Sequence, residues 1–174
     1  MSLANLISIV DYGMGNIRSI QNALGFIGVN CRVTDSPEDI AESQKLMLPG
    51  VGSFRLAMEN IRQKGLFEAL DHAVMVKKIP VLGICLGMQL FMEESEEDGI
   101  TNGFGWVRGL VKRFPSERLS IKIPHIGYNS AFFTQEPDNL FKGLGSKADF
   151  YFVHSYRVIC ENPDFVSSWT MYGE

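Results

Sequence analysis

The sequence predicts an α/β protein in which a doubly wound parallel sheet is joined to a largely β C-terminal half. Two observations carry that reading. Near-continuous apolar runs at Leu6–Val10, Cys31–Val33, Leu46–Leu48 and Val81–Ile84 alternate with stretches of helical spacing, the pattern of strands buried on both faces of a parallel sheet. From Trp106 onward the texture changes to short apolar runs separated by Gly, Pro and Asn turns, as expected of a mostly β region.

Taken in order, the first strand ends at Asp11, and the turn Tyr12–Asn16 opens a helix with Ile17, Ile20, Leu24 and Ile27 on one face, closed by Gly28. After the strand at Cys31–Val33, Ser36-Pro37-Glu38-Asp39 supplies an N-cap, a proline at the first helical position and acids in the first turn. The third strand runs into Pro49-Gly50-Val51-Gly52, and helical spacing resumes through Leu56, Ala57 and Ile61, then through Leu66, Phe67, Leu70, Ala73 and Val74. The fourth strand, Val81–Ile84, leads through Cys85 into a helix with Met88, Gln89 and Phe91. In the second half, strands are expected at 106–114, 121–123, 131–134, 150–153 and 165–169. No repeat, low-complexity segment or linker divides the 174 residues, so a single domain over 1–174 is expected.

With 45% hydrophobic and 21% charged residues, the composition is that of a soluble globular protein. A net charge of -4 with no cluster of Lys or Arg argues against nucleic-acid binding. The longest uncharged stretch, Ile79–Met92, falls short of the ~20 apolar residues a bilayer span takes, and Met1-Ser2-Leu3 lacks a signal-peptide pattern, so no membrane association and a cytoplasmic location are expected. Cys31, Cys85 and Cys160 are odd in number and far apart, which suggests neither a disulfide framework nor a metal site. A cysteine that matters here matters for reactivity.

That cysteine is Cys85. Gly83-Ile84-Cys85-Leu86-Gly87 joins a buried strand to a helix with a thiol at the junction, the nucleophile-elbow pattern with Cys in place of Ser. Small flanking residues let a tight turn push the central side chain above the sheet. The amides and positive end of the following helix favour a thiolate, and the Leu86 amide is aimed at a developing oxyanion. The bland alternative is a small apolar residue ending a core strand; the strand before Cys85 and the helix after it favour the catalytic reading. Pro49-Gly50-Val51-Gly52 leaves the same sheet edge, where active sites form in this architecture, and its amides are candidates for a second oxyanion donor. Read alone, that tetrapeptide is only a turn.

Together with Asp11–Asn16, Leu48–Gly52, Gly83–Gln89, Pro124–Asn129 and Tyr151–Tyr156, the chain resembles the class I glutamine amidotransferases, and among them the glutaminase subunit of imidazole glycerol phosphate synthase. The resemblance implies a flavodoxin-like fold and a reaction in which Cys85 attacks the side-chain amide of L-glutamine, releases ammonia and leaves a thioester for water to cleave. It implies oxyanion contacts from Val51, Gly52 and Leu86, substrate contacts from Gly50, Gln89, Glu97, His154, Ser155 and Tyr156, and a partner-facing side bearing Asn16, His125 and Tyr128. It also implies a (β/α)8-barrel cyclase subunit as the partner that receives the ammonia in histidine biosynthesis. No cofactor or metal is called for, since a thiolate and backbone donors suffice.

Two departures qualify it. The family's base lies in a His-Pro-Glu segment absent from residues 1–174, which predicts that this stretch alone is a very poor glutaminase. His72, in a predicted helix, reads as a surface residue. Tyr128 stands where the family usually has Trp, which fits a paralogous glutaminase serving amidination of a nucleotide-linked surface sugar. That paralogue and a noncatalytic regulatory subunit stay open as alternatives, whereas a dinucleotide site at Gly13-Met14-Gly15 is disfavoured because Arg18 replaces the third glycine.

Overall fold

The computed structural model describes residues 6–115, 121–134 and 139–173. Its first half is a four-stranded parallel sheet of β1 (Ile7–Val10), β2 (Cys31–Thr34), β3 (Leu46–Gly50) and β4 (Val81–Cys85), in the order β2-β1-β3-β4. The pleat sends alternate residues to opposite faces. Ile9 and Met47 pack with Leu24, Ile17 and Ile20 of α1 (Ile17–Phe26) on one side. On the other, Val10, Leu46 and Leu48 meet Ile40 of α2 (Pro37–Ala41), Phe54, Ala57 and Ile61 of α3 (Phe54–Gln63) and Leu70 of α4 (Phe67–Asp71). Helices on both faces make the sheet doubly wound, as expected.

Local signals set the helix starts. Asn16, Ser36 and Ser53 cap α1, α2 and α3 through side-chain oxygens that accept from Ser19, Asp39 and Leu56 amides, each cap contributing about 1 kcal/mol. The helix expected through Val74 is interrupted: α4 stops at Asp71 and continues as a wider π turn over His72–Val76, with His72 exposed. The helix after Cys85 is one turn long, α5 (Leu86–Gln89).

The second half departs more from expectation. Short strands β5 (Glu94–Ser95) and β6 (Thr101–Asn102) join β7 (Gly109–Arg113) and β10 (Tyr156–Cys160) in a mixed sheet ordered β10-β7-β5-β6. Val111 and Val158 of that sheet extend the core beneath α3 and α4. A three-stranded antiparallel sheet holds β8 (His125–Phe133), β9 (Lys147–His154) and β11 (Ser168–Thr170) in the order β11-β8-β9. The strand expected at 121–123 does not form; the cis Ile123–Pro124 bond leads into β8, which begins six residues before the expected strand at 131. Trp106 precedes β7 and donates its indole N–H to Asp71. Phe165 lies in a 3-10 turn rather than a strand.

Candidate active site

Cys85 closes β4 and caps α5 with φ 53° and ψ -116°, a backbone conformation that an L-residue holds only when its surroundings impose it. What imposes it is close packing of α5 on β3. A Cβ on Gly87 would run into the Leu48 carbonyl, and one on Gly83 would lie 2.5 Å from the Met88 Cα. Glycine at both positions lets the helix sit against the strand while the thiol stands exposed above the sheet edge.

Gly50 pairs with Cys85 in the β3–β4 register, bringing the Gly50-Val51-Gly52 turn beside the elbow. Tyr12, which is buried, donates its hydroxyl to the Pro49 carbonyl at 2.5 Å and so pins that turn from beneath. Burial and the neighbouring Cys85 push the Tyr12 phenol up, so it stays a neutral donor. Sequence reasoning passed over this residue as part of a motif; its place just after β1, at the same sheet edge as Cys85, was the available signal.

A cavity of about 410 Å³ opens in front of Cys85. Its floor comes from the parallel half (Val51, Gly52, Cys85, Leu86, Gln89) and its far wall from the β half (Glu97, Pro124, Val153, His154, Ser155, Tyr156). Eight expected oxyanion and substrate residues thus line one space with the nucleophile, and Pro124 and Val153 were not foreseen. Gly50 lies in the strand behind it. Gln89 is 9% exposed and donates Nε2–H to the Tyr156 carbonyl at 3.2 Å. Glu97 follows β5, and its Oε2 accepts the Phe54 amide at 2.9 Å at the start of α3, which anchors the carboxylate. Burial and the nearby Glu97 push the Tyr156 phenol up.

His154 shares the cavity, yet its Nδ1 lies 2.9 Å from the Tyr156 carbonyl and its Nε2 3.1 Å from Nδ1 of His125. With both ring nitrogens engaged, it is a wall residue and not a base for Cys85. The expectation of His125 on a partner-facing surface is corrected: it is 3% exposed, stacked on Phe152 and Tyr172, because β8 turns it inward. Tyr128, three residues on, points outward at 80% exposure, and Asn16 is exposed at the head of α1. Among the described residues no group of three or more His, Cys, Asp or Glu side chains is placed to hold a metal. No helix there is long and apolar enough to cross a membrane.

The family model for "Glutamine amidotransferase class-I" matches residues 8–173, which is nearly the whole chain. The chain belongs to the class-I glutamine amidotransferases. Within that family it is 45% identical over 168 residues to imidazole glycerol phosphate synthase subunit HisH 1 of Campylobacter jejuni, covering 97% of this chain and 82% of the relative. It is 45% identical over 167 residues to subunit HisH of Moorella thermoacetica, covering 96% and 77%. A solved structure of PurLQS from Thermotoga maritima shares the fold with a TM-score of 0.69 over 97% of this chain and 76% of that one, at 16% identity.

Proposed function

We propose that this chain is the glutaminase subunit of an imidazole glycerol phosphate synthase, hydrolysing L-glutamine to glutamate and ammonia for histidine biosynthesis. The observation that carries the reading is Cys85, held at positive φ on a strand-to-helix elbow facing a cavity walled by both halves. Cys85 Sγ attacks the carboxamide carbon. The Leu86 amide and the Val51-Gly52 turn stabilise the oxyanion, ammonia leaves, and water cleaves the glutamyl thioester. Glu97 suits the α-ammonium group of the substrate, while Gln89 and the His154-Ser155-Tyr156 segment hold its other end. Cleavage of the thioester also calls for a general base, and a second space of about 500 Å³ flanking Cys85, Met88 and Thr170 gives room for one.

Ammonia released into water would be protonated and lost as a nucleophile, so the subunit works in the cytoplasm as a heterodimer with a (β/α)8-barrel cyclase. Exposed Ile126, Tyr128 and Trp169 support that docking, with Asn16 as a further contact. The whole 1–174 stretch acts as one domain.

Tyr128 in place of the usual Trp favours one second reading, delivery to a synthase that amidinates a nucleotide-linked surface sugar. The deciding measurement is glutamate release by the protein with and without each synthase, beside Cys85→Ala. Stimulation by the cyclase that vanishes in Cys85→Ala is the expected result. Failure to bind or hydrolyse glutamine with either synthase would overturn the catalytic reading.

A further inference from the structure

Buried His125 and half-buried His154 belong to a chain of hydrogen bonds whose direction is fixed at both ends. Asn129 Oδ1 accepts the Ser130 amide at 2.8 Å and its Nδ2 donates to the Met171 carbonyl at 2.9 Å, so the amide cannot be turned over without losing both bonds. That same Nδ2 lies 3.3 Å from His125 Nε2, which must therefore be an unprotonated acceptor. His125 then carries its proton on Nδ1 and donates to His154 Nε2 at 3.1 Å. At the other end, His154 Nδ1 faces a carbonyl oxygen, that of Tyr156, at 2.9 Å and must carry a proton. Only two neutral Nδ1–H imidazoles satisfy every atom. An imidazolium at His125 would aim an N–H at the Asn129 N–H, and one at His154 would aim an N–H at the Nδ1–H of His125.

The chain ends on the carbonyl that also accepts from Gln89, one turn beyond Cys85. We infer that His125, which does not line the cavity, is a positioning residue: it fixes the tautomer of His154 and with it the Tyr156 carbonyl that Gln89 binds at the glutamine pocket. Stacking against Phe152 and Tyr172, with Phe114 at the ring edge, holds its plane. The inference rests on reading the cavity as the glutamine site, and the relay itself stands on geometry independent of that reading.

The test uses the full gene product in complex with its synthase and two substitutions. His125→Phe keeps the stacking and removes both hydrogen bonds, whereas His125→Gln can still donate to His154 and accept from Asn129. For His125→Phe, KM for glutamine is expected to rise about tenfold, with kcat within about twofold and an unchanged rate of Cys85 alkylation by iodoacetamide. His125→Gln is expected to stay within about threefold of the parent KM. An unchanged KM in His125→Phe, or equal KM rises in the two variants, would overturn the assignment. ¹⁵N spectra of the imidazoles judge the relay whether or not glutamine turns over. Two Nδ1–H neutral rings at pH 7 are expected, and an imidazolium or an Nε2–H ring at either position refutes it. Absence of glutamine hydrolysis by the parent protein would count against the glutaminase reading instead, and the spectra would still decide the relay.

Discussion

The parallel half and the largely β second half are built to different standards of burial. In the first, β1 and β3 are covered on both faces, and Ile9, Val10 and Leu48 are sealed from solvent. In the second, β8 and β9 bury one face and leave Tyr128, Tyr151 and Val153 open. Cys85 stands on the first half, at the exposed end of the edge strand β4, where the packing of α5 on β3 holds its strained backbone. The far wall of the cavity stands on the second half, with Val153 and His154 among its residues. A tightly packed elbow and a more open wall thus face each other, joined across the cavity by the Gln89–Tyr156 hydrogen bond.

The largest expected effect tests the first half of that contrast. Cys85→Ala removes the nucleophile, and glutamate release should fall by about a thousandfold or more in a coupled glutamate assay, with the melting temperature little changed because the thiol is exposed. Next comes Gly87→Ala, whose added methyl meets the Leu48 carbonyl. Forcing α5 off β3 should cost about 3 kcal/mol of stability by denaturant titration and abolish activity with it. Tolerance of this substitution would show that the elbow is not held by packing.

The same contrast explains what the sequence made legible. In the parallel half the apolar runs and the strands largely coincide; burial on both faces holds for β1 and β3, whereas the edge strands β2 and β4 leave Val33, Leu82 and Ile84 exposed. Ser36, Pro37 and Gly28 mark helix ends by local chemistry. The elbow at Cys85 was readable for the same reason. In the β half, pairing decides the strands. β8 starts at His125 because it lies opposite His154 in the register with β9, a relation no local window contains. β10 was missed because its residues look like the end of a motif, and its pairing with β7 is what makes it a strand. His125 was misplaced on the surface because the period-two alternation that turns it inward is visible only once the strand is known to begin there.

Gln89→Ala cuts the bond between the halves. KM for glutamine should rise by about tenfold by steady-state kinetics, and no change in KM would mean that the cavity wall is held without the seam. A smaller effect follows from His125. Burial, and then the neighbouring His154, lower its pKa from the usual 6.5, so the folded state favours the neutral ring. The unfolded chain binds the extra proton first as pH falls. The contribution to stability is therefore complete above about pH 6.5 and is lost as pH falls toward the lowered folded value. Thermal melts between pH 8 and 5 should show this decline, and His125→Gln should flatten it. Equal slopes in the two proteins would contradict a buried neutral His125.

The smallest effect has the opposite sign. Gly25 lies in the last turn of α1 with open space where a Cβ would project, and its backbone is helical, so alanine costs no strain there. Gly25→Ala should raise stability by about 0.5–1 kcal/mol by restricting the unfolded chain and favouring helix, without altering KM or kcat. Set beside Gly87→Ala, it separates two uses of glycine in one half: at position 87 the missing side chain lets backbone meet backbone under the nucleophile, whereas at position 25 it meets nothing. If Gly25→Ala were as damaging as Gly87→Ala, the parallel half would be intolerant throughout, and its strictness could not be assigned to the elbow.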